Sequence, residues 1–453
     1  MSVDRPSHAI AIFGGACSGS VTAEILAKAG HQVVVFEQNP RPYGKIQDGL
    51  PRWHKDQRKM EYGKIDARLT LPGVTFVPKT KLGADIQFSD VIGWGWSAVL
   101  LANGAWRDRP FDVPGSSDLV GRGLLYQNPF VQWFNHSCEK DYDGPRYDVP
   151  PGGVCVGGGL ASIDVIKIIQ LENYRKALEA RGIEYDMYHM EHEGIPKYLA
   201  AHGISDPASL GVQNGTLVYR RRVEDMPLGP EPPKNATEAQ LQKLGVTRQK
   251  ILAKCVERYL FNVSTETMTK DLIVEDGRVR GIRLQKTKVE GRNAVPIPGT
   301  EFEIRTDLVV SSIGSIPEQI PGIEMQGTFY KYKNWDTGEY EPVPGVFGVG
   351  NVVTGKGNIK ASMDHGKLVG TNLVENYLGT GAPGERDISG GFAIADAKAA
   401  ATATQVAEQL AKVAPLPAEK VNALLERARN RQKAVGYDDY KSWIARVMPP
   451  DME

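Results

Sequence analysis

Residues 8–37 have the sequence HAIAIFGGACSGSVTAEILAKAGHQVVVFE, in which two apolar runs enclose a glycine-rich turn and a helical segment. The apolar run 8–13 predicts a short buried strand, and apolar residues recur at helical spacing over 21–28. A β-branched run at 33–36 predicts a second strand, which closes on Glu37. This order within about 30 residues is that of a βαβ unit, so the sequence predicts an α/β fold with a parallel sheet.

The turn inside this unit has the residue types that a dinucleotide pyrophosphate requires. Glycine permits a tight turn and a close approach of the backbone to phosphate, and the next helix offers free N–H groups. Gly14 and Gly19 hold the outer positions of the pattern, and Ala16 stands where a middle glycine is usual. Glu37 lies where a carboxylate accepts hydrogen bonds from a ribose. The alternative is an ordinary α/β turn with a surface glutamate.

A second copy of the pattern begins near residue 153. A strand at 153–156 precedes a second glycine-rich turn, and a helical pattern follows. The residues of this turn are Gly157, Gly158, Gly159, Leu160, Ala161 and Ser162. The strand that would complete the unit comes only at 215–219, so we interpret residues 176–213 as an insertion.

Three arginines follow that late strand: Arg220, Arg221 and Arg222. An acid at this place would suit the free 2′-hydroxyl of NAD, whereas arginines suit the 2′-phosphate of NADP(H). The sequence therefore favours NADP(H). A solvated basic cluster that pairs with Glu224 and Asp225 is the alternative.

The bulk composition is that of an ordinary globular protein. The 453 residues are 41% hydrophobic and 24% charged, with zero formal net charge and a mean hydropathy of −0.32. This length is enough for two or three domains. The charge balance gives no reason to expect nucleic acid or an anionic membrane as partner. No apolar run approaches the roughly 20 residues of a membrane span, and no signal-peptide pattern is visible, so we expect a cytoplasmic protein.

The four cysteines, Cys17, Cys138, Cys155 and Cys255, include no C-x-x-C pair. This spacing disfavours a disulfide framework, a thioredoxin-like redox pair and a Cys-ligated cluster within the chain. Electron transfer would therefore need a bound cofactor.

No side chain is assigned as a catalytic acid, base or nucleophile. His54 and His365 are considered, but a lone histidine is more often structural. His189 and His192 are spaced for a metal site, yet a solvated helix face is the preferred interpretation, and no metal is predicted.

The remaining segments give a coarse outline. Residues 228–236 predict a Pro-rich loop, and 258–312 predict a β-meander with a turn at 275–278. From about residue 386 the chain is Ala-rich and helical. This tail and the insertion are candidate docking surfaces.

Three further segments extend the pattern of two dinucleotide folds. They are LLANGAWR at 100–107, YRRRVEDMP at 219–227 and VFGVGNVVTG at 346–355. With the two turns, they resemble the adrenodoxin reductase and glutamate synthase small-subunit type of NAD(P)H:iron–sulfur protein reductase over roughly residues 8–380. Asn103 stands where threonine is typical of this type, and Asn351 replaces the usual aspartate. The Cys-rich iron–sulfur domain of the glutamate synthase subunit has no counterpart before the first strand.

The resemblance implies two Rossmann-like domains, the nicotinamide domain being inserted into the FAD domain. The expected bounds are 1–125 and 316–385 for FAD, 126–315 for NAD(P), and 386–453 for a helical extension. The expected FAD-binding residues are Gly14, Ala16, Cys17, Ser18, Gly19, Glu37, Gln38, Tyr43, Gly44, Lys45, Ala102, Asn103, Gly104, Gly350, Asn351, Gly357, Asn358 and Ile359. The expected NAD(P)-binding residues are the six of the second turn and the three arginines.

The activity implied by this resemblance is that of a FAD-dependent oxidoreductase. It would pass hydride between NADP(H), or less favourably NAD(H), and FAD. Single electrons would pass between FAD and a ferredoxin or an iron–sulfur subunit of a larger oxidoreductase. A disulfide reductase is disfavoured by the missing cysteine pair. A flavoenzyme acting on a small organic substrate and a non-catalytic flavin-holding assembly subunit are the alternatives.

Overall fold

A computed structural model describes residues 3–229, 231–233, 235–291, 293–379 and 413–448. It divides the chain into two compact units. The first unit comprises Met1–Ile46, Asp56–Arg107 and Ser315–Glu453, and the second comprises Gln47–Lys55 and Asp108–Gly314. None of the helices in the described part of the chain is long and apolar enough to cross a bilayer.

The strands and helices alternate along most of the chain, as the sequence predicts. The strands are β1 Ala9–Phe13, β2 Gln32–Phe36, β3 Val74–Val77, β4 Ala98–Leu101, β5 Arg107–Asp108, β6 Leu124–Tyr126, β7 Val154–Val156, β8 Thr216–Val218, β9 Asn262–Ser264, β10 Thr267–Glu275, β11 Arg278–Glu290, β12 Asn293–Arg305, β13 Val309–Ser311, β14 Ser315–Ile316, β15 Met325–Gln326, β16 Phe329–Tyr330, β17 Tyr332–Asn334, β18 Glu339–Tyr340 and β19 Val346–Gly348. The α-helices are α1 Cys17–Lys28, α2 Lys45–Asp48, α3 Lys55–Leu69, α4 Phe88–Trp94, α5 Gln127–His136, α6 Leu160–Glu179, α7 Met187–Glu193, α8 Ile195–Ala201, α9 Glu238–Tyr259, α10 Asn351–Thr354, α11 Ile359–Asn372, α12 Ala418–Ala434 and α13 Tyr440–Val447. Short 3-10 turns occur at Ser116–Leu119, Pro207–Leu210 and Val223–Asp225, and a π-helical turn at Leu373–Tyr377 extends α11.

The first unit is built on a seven-stranded sheet with the order β17-β18-β19-β4-β1-β2-β3. The five strands from β19 to β3 are parallel, and β17 and β18 add an antiparallel edge. All five residues of β1 are buried, as expected for a parallel strand covered on both faces. The carboxyl ends of β1, β4 and β19 therefore meet at one edge of the sheet.

Helix α11 packs closely on α1, the helix of the first glycine turn. A β-carbon on Gly366 would lie 2.8 Å from the Ser18 carbonyl oxygen, and one on Gly370 would lie 3.1 Å from Ile25. The Thr22 hydroxyl donates to the Gly366 carbonyl oxygen at 3.0 Å. Small residues on α11 thus bring a late part of the chain against the first turn.

The second unit contains a five-stranded parallel sheet with the order β6-β13-β7-β8-β9. Strands β10, β11 and β12 form a separate antiparallel sheet, and they lie between β9 and β13 in the sequence. Strand β6 is hydrogen-bonded into this second sheet, and the longer segment of the second unit runs from Asp108 to Gly314. The expected bounds of the two cofactor domains, with a boundary at residue 125, stay a prediction. Which unit binds which cofactor stays a prediction.

The predicted meander over 258–312 is wrong at both ends. Only β10 to β12 are antiparallel, whereas β9 and β13 belong to the parallel sheet. The turn predicted at 275–278 is confirmed, since Asp276 and Gly277 have φ of 52° and 69° between β10 and β11.

The region interpreted as an insertion is integrated into the second unit. Its first residues continue α6, and α7 and α8 follow before β8. Met190, Ile195 and Leu199 are completely buried in the same apolar cluster as Ile166. These residues therefore pack into the core of the second unit, and the interpretation of 176–213 as an insertion stays a prediction.

The helical C-terminal segment is confirmed by α12 and α13. Residues 386–412 and 449–453 of the predicted extension lie outside the described residues. Leu424 and Leu425 of α12 and Trp443 of α13 are buried in the apolar clusters of the first unit.

Two candidate dinucleotide sites

The turn between β1 and α1 is closed by glycines that larger residues could not replace. Gly14 has φ +108°, and a β-carbon there would lie 2.4 Å from the Ala102 carbonyl oxygen. A β-carbon on Gly19 would lie 1.9 Å from the Gly14 carbonyl oxygen. Ala16 is the N-cap of α1, and its methyl group cannot accept a hydrogen bond from the first helical turn. The backbone N–H groups of Cys17 and its neighbours are thus not capped by that side chain.

Glu37 is held at the end of β2 by backbone donors. Its carboxylate is buried and accepts hydrogen bonds from the Gly15 N–H at 2.8 Å and the Asn39 N–H at 3.0 Å. A carboxylate offers about four acceptor sites, so these bonds are compatible with further donors. Gln38, the next predicted residue, is half-buried. The ribose contact of Glu37 stays a prediction.

The segment 40–45 forms a wall opposite the first turn. A β-carbon on Gly15 would lie 3.1 Å from the Pro42 side chain, and one on Gly44 would lie 2.9 Å from the Ala16 methyl group. The Lys45 ammonium donates to the Ser315 hydroxyl at 3.0 Å. These contacts place the backbone of 42–44 directly against the glycine turn.

Tyr43 supports this wall from the core. Its side chain is fully buried and stacks on Tyr62 with the ring centroids 3.7 Å apart. Its hydroxyl donates to Asp66 at 3.0 Å. Burial raises the pKa of Asp66, while hydrogen bonds from Tyr440 and Tyr43 act in the opposite direction.

Residues after β4 and β19 complete the edge of the first sheet. The Ala102 N–H donates to the Phe13 carbonyl oxygen at 2.8 Å. Gly350 has φ +80°, and a β-carbon there would lie 2.4 Å from the Ser18 hydroxyl oxygen. The structure thus brings Ser18, Ala102 and Gly350 together from three distant parts of the sequence. Gly104 follows, with φ +71°.

Two buried amide oxygens lie in this region without a hydrogen-bond partner among the described residues: Asn103 Oδ1 and Asn351 Oδ1. The Asn103 amide nitrogen donates to the Tyr330 hydroxyl at 3.0 Å, and that hydroxyl donates to the Glu318 carbonyl oxygen at 2.9 Å. This chain of bonds fixes the Asn103 amide so that its oxygen remains an acceptor. Buried acceptors are normally satisfied, so a donor is expected at each.

The start of α11 is the last predicted element of the first site. Asn358 caps the helix by accepting a hydrogen bond from the Ala361 N–H at 2.7 Å. Gly357 before it is exposed, and Ile359 packs partly against the core. His365 on the same helix accepts a hydrogen bond from the Gly350 N–H at 2.9 Å. Burial lowers the pKa of His365, so this neutral imidazole positions the Gly350 turn.

The second turn is equally crowded. A β-carbon on Gly157 would lie 2.2 Å from the Ser312 carbonyl oxygen, and one on Gly158 would lie 2.2 Å from the Tyr219 ring. The Ser162 hydroxyl lies 3.1 Å from the same Ser312 carbonyl oxygen and 3.0 Å from the Ser312 hydroxyl. Sequence reasoning missed Ser312, which directly follows Ser311 at the end of β13, the strand beside β7.

Gly159 differs from its neighbours in this turn. It is the N-cap of α6 with an extended backbone, and a β-carbon there would have nothing closer than Pro227 at 3.8 Å. Leu160 at the start of α6 is 55% exposed. The space beside Gly159 is therefore open, as a ligand-facing position requires.

The three arginines have three different environments. Arg222 forms an ion pair with Asp225 at 3.0 Å, which is the pairing that the alternative of a surface cluster expects. Its role in nucleotide binding stays a prediction. Arg221 donates to the Tyr219 hydroxyl at 3.1 Å and to the Asp225 carbonyl oxygen at 3.3 Å. Arg220 is exposed and has no ion-pair partner in the described part of the chain. The Glu224 carboxylate accepts a hydrogen bond from the Gln249 amide, and the Glu224 carbonyl oxygen accepts one from Arg248.

The cysteines and histidines considered in the sequence lie in different environments in the structure. Burial and the nearby Glu61 carboxylate raise the pKa of the Cys17 thiol to about 12, and burial raises the pKa of Cys155. None of the four cysteines, all of which lie in the described part of the chain, forms a disulfide. No group of three His, Cys, Asp or Glu side chains in the described ranges could hold a metal, and His189 packs on the Tyr198 ring. His54 lies 3.9 Å from Asp164.

No family model matches this chain. Among curated proteins, it is 26% identical over 388 residues to the glutamate synthase [NADPH] small chain of Mycobacterium tuberculosis, which covers 82% of this chain and 66% of that relative. It is 24% identical to the NADP(+)-dependent formate dehydrogenase subunit beta of Moorella thermoacetica, over 83% of this chain and 45% of that protein. The chain thus spans between about half and two thirds of these relatives' length.

Among solved structures, the chain is similar to Mycobacterium tuberculosis FprA in complex with NADPH. The TM-score is 0.65 at 18% identity, and the match covers 94% of this chain and 91% of that one. This likeness confirms the predicted α/β architecture of two dinucleotide-binding folds. The similarity to the curated relatives confirms the resemblance to the adrenodoxin reductase and glutamate synthase small-subunit type of oxidoreductase that the motifs indicate.

Proposed function

We propose that this protein is a FAD-dependent oxidoreductase that passes hydride between NADP(H) and FAD. Single electrons then pass between FAD and an iron–sulfur protein or a larger oxidoreductase complex. The observation that carries the proposal is the presence of two glycine turns, each sealed by close backbone contacts at the carboxyl edge of its own parallel sheet. The carboxyl edges of open parallel α/β sheets are where dinucleotides bind.

The first unit supplies residues that fit FAD. Gly14 and Gly19 shape a turn for pyrophosphate, and Glu37 offers acceptors for a ribose. The Oδ1 atoms of Asn103 and Asn351 are buried acceptors without a partner among the described residues, and hydroxyl and N–H donors of a flavin cofactor can satisfy them. When bound, FAD accepts a hydride and can release its electrons singly, while the protein supplies position and electrostatics.

The second unit supplies residues that suit a 2′-phosphate. Arg220 and Arg221 follow β8, and within the described part of the chain neither forms an ion pair with a carboxylate. Guanidinium groups bind phosphate through charge-assisted hydrogen bonds. The names of the two curated relatives, which include NADPH or NADP(+), agree with this choice.

The electron partner is proposed from the relatives' names. The formate dehydrogenase subunit and the NADPH-Fe(3+) oxidoreductase subunit beta of Geobacter sulfurreducens are each described as subunits. A ferredoxin or an iron–sulfur subunit of a larger enzyme fits a flavin that releases one electron at a time. We retain the cytoplasm as the expected location.

An anaerobic titration of the purified flavoprotein, followed at the visible flavin band, tests the proposal. NADPH should bleach the band much faster than NADH. Arg220→Ser and Arg221→Ser should each weaken NADPH binding about tenfold, the cost of a charge-assisted hydrogen bond, and leave NADH binding unchanged. Arg222→Ser is the matched control, since Asp225 already holds this side chain. A bound flavin that neither nucleotide reduces would overturn the proposal and favour a non-catalytic assembly subunit.

A further inference from the structure

The C-terminal helices contact the wall that faces the first glycine turn. The Tyr440 hydroxyl on α13 donates to Asp66 at 2.7 Å, and the Tyr43 hydroxyl donates to the same carboxylate oxygen at 3.0 Å. Asp66 thus joins the tail to the segment 40–45. Tyr440 and Tyr43 are far apart in the sequence, yet both hydroxyls donate to the same oxygen of Asp66.

Two further bonds tie α13 to the same segment. The Trp443 indole N–H donates to the Pro40 carbonyl oxygen at 2.7 Å, and Trp443 is only 3% exposed. The Arg41 guanidinium donates to the Val447 carbonyl oxygen at 3.2 Å. The segment is therefore held at Pro40, at Arg41 and, through Asp66, at Tyr43.

Helix α12 holds the neighbouring loop in a similar way. Arg431 donates to the Thr80 hydroxyl at 3.0 Å and to the Lys79 carbonyl oxygen at 2.7 Å. Gln432 donates to the Phe76 carbonyl oxygen at 2.7 Å. The Thr80 N–H in turn donates to the Glu37 carbonyl oxygen at 2.8 Å. Helices α12 and α13 therefore hydrogen-bond to both segments beside Glu37, namely 40–45 and 76–80.

The fastened wall lies directly against the first turn, because Pro42 approaches Gly15 and Gly44 approaches Ala16. We infer that the C-terminal helices act as a clamp that positions residues 40–45 and so retains the dinucleotide at the first turn. Tyr440 and Trp443 are positioning residues in this scheme, since their described contacts are to protein. The inference rests on the proposed binding of FAD in this unit.

The test measures FAD dissociation from the full-length holoprotein by equilibrium dialysis, together with the visible circular dichroism of the bound flavin. Tyr440→Phe removes one hydrogen bond and keeps the ring, whereas Trp443→Phe removes one hydrogen bond and replaces the indole by a smaller aromatic ring. Each should raise the dissociation constant of FAD about three- to tenfold and alter the flavin dichroism. Lys441→Ala, an exposed position between them, is the matched control and should change neither quantity.

Asp66→Asn and Asp66→Ala separate the clamp from a general loss of stability. The asparagine retains an acceptor oxygen for both phenols and should keep FAD affinity close to that of the wild type, whereas the alanine should not. If Tyr440→Phe and Trp443→Phe lower only the melting temperature and leave FAD affinity and dichroism unchanged, the helices are a folding element and the inference is wrong. A wild-type protein that binds no FAD would instead overturn the proposed function itself.

Discussion

Gly158 and Gly159 are neighbours in one turn, yet the structure gives them different reasons to be glycine. At Gly158 the space for a β-carbon is filled by the Tyr219 ring, which would lie 2.2 Å away. The Tyr219 hydroxyl also donates to Asp225 and receives a bond from Arg221, so the ring cannot move alone. At Gly159 the space is open to 3.8 Å. The first glycine serves the fold, and the second leaves room for a ligand.

Alanine substitutions should therefore separate stability from binding. Gly158→Ala should destabilise the protein by about 1–3 kcal/mol, as overpacking does, with a lower melting temperature in the absence of nucleotide. Gly159→Ala should leave the melting temperature of the free protein within experimental scatter and weaken NADP(H) binding about tenfold, because its methyl group would occupy the pyrophosphate approach. Calorimetric melting and nucleotide titration of both variants check this. Equal effects of the two on stability would refute the distinction.

The glycine pattern could be identified from the sequence because its spacing reflects backbone geometry. The partners of those glycines could not. Ser312 and Ala102 reach the turns only through sheet pairing, which adds long-range neighbours that no local pattern contains. The ion pair of Arg222 likewise depends on the 3-10 turn Val223–Asp225, which places Asp225 beside it.

At the scale of elements, the segment Gln47–Lys55 is fastened to α5 within the second unit. Asn135 accepts a hydrogen bond from the Arg52 N–H at 2.9 Å and donates to the Gln47 and Leu50 carbonyl oxygens. His136 lies 2.9 Å from Asp48 and 2.5 Å from Glu139. Burial alone would lower the pKa of His136, but the two carboxylates outweigh it and raise the pKa to about 9.

This raised pKa predicts a stability that depends on pH. A histidine with a folded-state pKa above its unfolded value of about 6.5 stabilises the fold fully below that pH, and the contribution disappears as pH rises through about 9. His136→Gln should accordingly lower the melting temperature most at pH 6 and least at pH 10. His202→Gln, at an exposed position, is the control. A difference between wild type and His136→Gln that is constant over this range would contradict the ion-pair interpretation.

Among the elements, the βαβ units were predictable and α9 was missed. The helix carries a capping box in which the Thr237 hydroxyl and the Gln240 side chain satisfy each other's backbone N–H groups. This signal is visible in the sequence. Few α9 residues are buried, so the helical period of apolar residues in its sequence is weak. The predicted meander also began at residue 258, before the end of this helix.

At the scale of the whole molecule, a buried charge pair connects parts of the second unit that are distant in sequence. Lys167 on α6 lies 2.5 Å from Glu191 on α7. Its ammonium is 4.5 Å from the ring centroids of both Trp53 and Tyr259. Segment Gln47–Lys55, α6, α7 and α9 thus meet at one cation. Sequence reasoning separated these elements, since the charges of 176–213 resemble those of a solvated surface helix.

Removing one partner of this pair should be costly, and removing both should not. Glu191→Leu leaves the buried Lys167 ammonium without its carboxylate, which should lower the free energy of unfolding by about 3 kcal/mol. The loss should not be larger, because two aromatic rings still contact the ammonium. The double variant Lys167→Met/Glu191→Leu should regain most of that stability, because well-packed apolar residues can replace a buried ion pair. The Tyr259 hydroxyl would still donate to the backbone carbonyl oxygen of residue 191.

Denaturant unfolding followed by tryptophan fluorescence measures each variant. Glu303→Leu, which breaks the exposed pair with Arg283, is the control and should cost less than about 1 kcal/mol. If the double variant is as unstable as Glu191→Leu, the charge pair itself holds these elements together, and its apolar replacement cannot.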